Sequence, residues 1–186
     1  MLVPQTPGSQ KSGVTKSLES TSREKTSSQP DSPHPRDRSQ VHVKVYDLLE
    51  RGAVADALKA IRHAKSPDPA SMHLLAVCLL RNGEAEEAVR LYRQIVVTSG
   101  GYQLRREAPI EHKTSFAAAL LQSGRIQGAE DVLYEIGDAA HPAVVRLRRD
   151  IRRFRESQSL LRRIVWKCGL KPEVPVPLTE PMGDLA

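Results

Sequence analysis

The chain carries six histidines and two cysteines, the side chains best suited to ligate a metal or attack an electrophile. Their spacing argues against both uses. His34, His42, His63, His73, His112 and His141 are scattered. Only His42 and His73 fall where neighbouring helices could face one space, so a metal pair is conceivable, but ordinary helix histidines are the simpler account. Cys78 and Cys168 form neither a C-x-x-C nor a disulfide-framework spacing, and Cys78 stands among apolar neighbours, as an inert buried thiol does. No P-loop, H-E-x-x-H or G-x-S-x-G motif is present. The expectation is a non-catalytic protein with no cofactor and no metal.

What remains is charge. Residues 143–171 hold 10 Lys/Arg against 2 Asp/Glu, a balance of +8 that exceeds the +6 of the whole chain. Residues 41–142 hold 12 against 13, a balance of −1. The basic patch is Arg146, Arg148, Arg149, Arg152, Arg153 and Arg155. Such a patch is either the solvated outer face of a terminal helix or a site for an acidic protein, nucleic acid or an anionic membrane surface. Only Phe154 and Trp166 interleave with it, which gives base stacking little support.

The elements that must position these groups are helices. The composition is 39% hydrophobic and only 4% aromatic, so the core is built from Leu, Val, Ile and Ala, which suits close helix packing. From Val41 apolar residues recur at helical spacing around Gly52, and the pattern returns around Gly83 and Gly124. Lined up on those glycines, the chemistry coincides. Seven residues before stand Val45, Ala76 and Ala117; four and three before stand the pairs Leu48–Leu49, Leu79–Leu80 and Leu120–Leu121. Five after stand Ala57, Ala88 and Ala129; nine after, Ile61, Tyr92 and Leu133; twelve after, Ala64, Ile95 and Ile136. Three hairpins on one template form a repeat array, because a single hairpin cannot bury its apolar face alone. The repeats span 41–65, 70–97 and 110–137.

Residues 1–40, rich in Ser, Thr, Pro, Lys and Gln, read as a disordered tail, with a partner-binding or phosphorylated arm as the alternative. Residues 142–168 read as a basic amphipathic capping helix, with a fourth hairpin broken near Glu156–Ser159 as the alternative. Residues 169–186 read as an extended Pro-rich tail. No run approaches the roughly 18 apolar residues of a membrane helix, and the opening residues lack a secretory h-region. A cytoplasmic location without membrane insertion is the default expectation.

The stretch "LAVCLLRNGEAEEAVRLY" at Leu75–Tyr92 resembles the tetratricopeptide repeat family, with its Gly, second-helix Ala and aromatic in place. "VYDLLERGAVADALKAIRHAKSPDP" and "FAAALLQSGRIQGAEDVLYEI" resemble it less closely. The family's first-helix Trp is absent from all three units, and the glycines lie 31 and then 41 residues apart. The resemblance implies an all-α, right-handed helical repeat (a TPR-like α-solenoid) of three helix-turn-helix hairpins with a C-terminal capping helix. It further implies a scaffold that binds a peptide or helix of another protein in a concave groove. Position by position, that groove would be lined by His42, Tyr46, Leu49 and Glu50, then His73, Val77, Leu80 and Arg81, then Thr114, Ala118, Leu121 and Gln122. The Lys and Asn of the family's carboxylate clamp are missing, with His42/Tyr46, His73/Val77 and Thr114/Ala118 in their places. That argues against a ligand held by its terminal carboxylate. A small bacterial secretion chaperone of three such repeats and a nucleic-acid-binding accessory protein remain the alternatives.

Overall fold

The computed structural model describes residues 35–63, 68–101, 103–159 and 174–179. Within them the chain is all-α: α1 Pro35–Glu50, α2 Val54–His63, α3 Pro69–Arg81, α4 Ala85–Val96, α5 Ile110–Gln122, α6 Ile126–Glu135 and α7 Pro142–Ser157. None is long and apolar enough to cross a membrane.

Each of the three template glycines closes a first helix in the same way. Gly52, Gly83 and Gly124 have φ of 75°, 83° and 81°, a left-handed conformation that other residues reach only at a cost. Each glycine N–H donates to the carbonyl three residues back (Leu49, Leu80, Leu121). The next N–H donates to the carbonyl five residues before it (Leu48, Leu79, Leu120), at 2.8, 2.9 and 2.7 Å. This is the Schellman motif, which satisfies carbonyls the helix end would otherwise orphan. The following helix then starts at once, with Ala57, Ala88 and Ala129 donating to the residue four back in all three units.

The packing follows from the template. α1 lies on α2, α3 on α4 and α5 on α6, while α2 also packs on α3, α4 on α5 and α6 on α7. The first helices touch in sequence: α1 with α3, α3 with α5, and α5 with α7. Ala57, Ala88 and Ala129 are fully buried, as are Val45, Ala76 and Ala117. Small residues at both places let paired helices approach closely. Ile61, Tyr92 and Leu133 fill the space between them.

The long second connection is not loose. Val97 and Leu104 form an antiparallel bridge, Arg105 N–H donates to Val96 O at 2.7 Å, and Leu104 N–H donates to Glu135 Oε1 at 2.6 Å. The surplus residues thus fold back and dock on α6.

Two expected boundaries shift. α1 begins at Pro35 rather than Val41, because proline suits a first helical turn and a polar turn can precede the buried part of a helix. The basic helix ends at Ser157, not 168, with Gln158 already extended at φ −73°, ψ 140°. The break falls where the fourth-hairpin alternative placed it; residues 160–173 lie outside the described residues, as do residues 1–34 of the expected N-terminal tail 1–40, whose last six residues are helical.

Candidate interaction surface

The twelve expected groove residues divide by exposure. Leu49, Val77, Leu80, Thr114, Ala118 and Leu121 are each 4% exposed or less. Their side chains pack between the helices rather than on an open surface, which corrects their expected place in the groove lining. The reason is geometric: α3 and α5 are each flanked by two second helices and by neighbouring first helices, leaving little of their circumference free. Tyr46, His42, His73, Arg81 and Gln122 are half-buried, and Glu50 is exposed.

Three of the polar members, His42, His73 and Arg81, are engaged by neighbouring helices. His42 Nε2 lies 2.7 Å from Ser71 Oγ. Ser71 in turn donates through N–H and Oγ–H to Asp68, which caps α3. Arg81 donates to Leu49 O at 3.2 Å, supplying a donor to the C-terminal end of α1. The imidazoles of His73 and His112 stack at 4.1 Å, and His73 Nδ1 is 3.2 Å from Tyr92 Oη. Burial, followed by the neighbouring His112, lowers the His73 pKa to about 3, and burial lowers that of His112. Both rings are neutral at pH 7 and act as packing groups. His42 and His73 are therefore engaged separately, and no group of three or more potential metal ligands occurs among the described residues. Burial pushes the Cys78 thiol up to about 11, so it is protonated at neutral pH.

The surface differs at its other end, where residues 174–179 lie across α5 and α7. Val176 N–H donates to Leu121 O at 2.9 Å. Thr179 N–H donates to one Asp150 carboxylate oxygen at 3.3 Å, and Thr179 Oγ1–H donates to the other. Val176 is fully buried, Val174 and Leu178 pack against the core, and Pro175 and Pro177 are exposed.

Compared with known proteins, the chain finds no match: no family model, no curated protein and no solved structure.

The basic patch separates into two functions. Arg148 donates to Leu133 O at 3.2 Å and Arg155 pairs with Glu130 at 2.7 Å, tying α7 to α6. Arg146 is half-buried. Arg149, Arg152 and Arg153 are exposed on one stripe of α7 and pair with no described residue.

Asp150 and the segment 174–179 were not among the expected site residues. A signal for each exists in the sequence. Asp150 interrupts the apolar stripe Val144, Leu147, Ile151, Phe154, so helical spacing alone puts it on the buried face. Val174, Val176 and Leu178 alternate with prolines, a period of two that suits an extended segment with one apolar side.

Proposed function

We propose that the chain is a non-catalytic interaction module, a right-handed array of tetratricopeptide-like hairpins that holds a segment of a partner protein against its first helices. The observation that carries this reading is the position of residues 174–179. An irregular stretch of chain rests on α5 and α7 through a main-chain hydrogen bond, buried apolar side chains and a buried carboxylate. These are the contacts by which a helical surface holds a peptide. The common turn geometry supports the array, since three hairpins are closed by one motif.

The test is site-specific photocrosslinking in cells of the source organism. A photoreactive residue replacing Tyr46, half-buried on α1, should crosslink to a protein partner. One replacing Tyr134, 84% exposed on α6, should not. Crosslinking from position 134 alone would overturn the reading.

A second reading rests on Arg149, Arg152 and Arg153, which offer one exposed cationic stripe to an acidic protein or nucleic acid. Arg149→Glu with Arg153→Glu should then abolish binding, and binding by the parent should weaken steeply with salt. A partner held by the first helices should survive both changes.

A further inference from the structure

A buried carboxylate demands donors, and in this chain the donors come from the tail. Asp150 is 4% exposed, and the hydrogen bonds to its two oxygens come from the N–H and hydroxyl of Thr179. Leaving it without them would bury an unpaired charge, which costs far more than a lost surface contact. Leu121 O, in the last turn of α5, accepts from Gly124 N–H and has a second lone pair, which Val176 N–H reaches at 2.9 Å. Pro175 and Pro177 on either side of Val176 are exposed and present no N–H that would need a partner. They also fix their own φ and push Val174 and Val176 towards an extended backbone, which lowers the entropy lost on docking.

We propose that the cleft between the C-terminal end of α5 and the middle of α7 is a recognition site for an extended peptide of another protein. That peptide has the pattern apolar-Pro-apolar-Pro-apolar-Ser/Thr, and the chain's own residues 174–179 occupy the cleft until it displaces them. The proposal rests on the peptide-holding reading above and adds the ligand's chemistry. The centre of the pattern needs a small branched side chain with a free N–H, to fill the place of Val176 and reach Leu121 O. The last residue needs a hydroxyl beside its own N–H, to give Asp150 both bonds. Lys or Arg would supply charge but not this adjacent pair, and a carboxylate or phosphate there would be repelled by Asp150. The tethered segment competes at an effective concentration on the order of millimolar, so the resident segment sets a threshold that selects tight partners.

The test uses the full chain and a labelled synthetic peptide spanning residues 172–180, followed by fluorescence anisotropy. Val176→Asp in the protein should release the resident segment, and this variant should bind the peptide about tenfold or more tightly than the parent. A peptide with Val in place of Thr179 should lose about tenfold or more against the same variant, as should the natural peptide once Asp150→Asn is added. If the Val176→Asp chain is folded by circular dichroism yet binds no peptide up to about 1 mM, the segment is an internal clasp and the proposal falls. Should that variant not fold, the milder Thr179→Val chain takes its place. Hydrogen exchange of the Val176 amide in the parent is then followed with and without excess peptide. Faster exchange with peptide supports displacement; unchanged exchange with no binding by Thr179→Val overturns it. Crosslinking from position 46 does not depend on this cleft, so its survival alongside a negative peptide result would discard the cleft alone.

Discussion

At the α1–α3 end of the molecule the polar side chains along the first helices bond to one another, whereas at the α5–α7 end the surface is covered by residues 174–179. His42, Ser71 and Asp68 form one chain of hydrogen bonds and Arg81 reaches back to Leu49 O, all within the hairpins themselves. At the far end Asp150, and Leu121 O in addition to its bond from Gly124 N–H, take donors from outside the hairpins, Thr179 and Val176. Among the described residues no second helix follows α7, and residues 174–179 lie against it.

The comparison predicts unequal consequences for the two ends. Val176→Asp should be the most damaging change, costing about 3 kcal/mol from lost apolar burial and a carboxylate forced into a buried place. Because each unit leans mainly on its neighbours, the loss should be local. Amide hydrogen exchange should accelerate in α5 and α7 while α1 and α3 keep their protection. Uniform acceleration would show that the ends are not energetically separate.

Ala88→Leu probes the middle hairpin, where the side chain is fully buried at the α3–α4 contact. Overpacking there should cost about 1–3 kcal/mol, measured by thermal or urea unfolding. An unchanged midpoint would mean the alanine is not a close-approach position. Gly83→Ala should cost about 1–2 kcal/mol. An added Cβ would meet nothing within 4 Å, so this cost is backbone strain alone.

The join between the ends is the His73–His112 stack of α3 on α5, and it should be sensitive to acid. The folded His73 pKa, about 3, lies below its ordinary 6.5. Its stabilising contribution is complete above 6.5 and is lost as pH falls from there towards 3, because the unfolded chain takes up the proton first. Between pH 7 and 5.5 the loss should be about 1 kcal/mol, and the lowered His112 pKa adds to it with the same sign. Urea midpoints at the two pH values measure this. His73→Gln should shrink the difference, and an undiminished difference in that variant would move the acid sensitivity elsewhere.

The hairpins were legible because the template fixes both periodicity and turn: Gly52, Gly83 and Gly124 are read directly as left-handed helix ends, and the alanines five residues later as contacts. The all-α class and six helices of the repeats follow from these. The surface was less legible, for a physical reason. Repeat spacing tells which residues share a helix face but not how much of that face neighbouring helices cover, so Val77 and Ala118 pass for groove positions while fully buried. Occupancy by residues 174–179 depends on a contact 29 residues apart in sequence, between Asp150 and Thr179, which no local pattern encodes.

The smallest predicted effect separates the units themselves. Four residues after the turn glycine, the first two repeats carry Asp56 and Glu87, and the third carries Gly128. The two carboxylates stand on exposed helix surface, where Asp56 pairs with Lys59 and Glu87 with Arg90. Gly128 instead lies inside α6 beside the last turn of α5, and a Cβ built on it would meet Leu120 Cδ1 at 3.7 Å and Leu120 Cδ2 at 3.8 Å. Those are ordinary van der Waals distances, so alanine fits without repacking. Its backbone is not left-handed, so the substitution brings no strain there either. Gly128→Ala should therefore raise stability by about 0.5–1 kcal/mol through helix propensity and a less flexible unfolded chain. The opposite sign to Gly83→Ala, read from the same urea titration, would confirm that the two glycines have different jobs. A destabilised Gly128→Ala chain would mean that α5 and α6 approach more closely at this position than 3.7 Å, and that the third hairpin needs its glycine for packing.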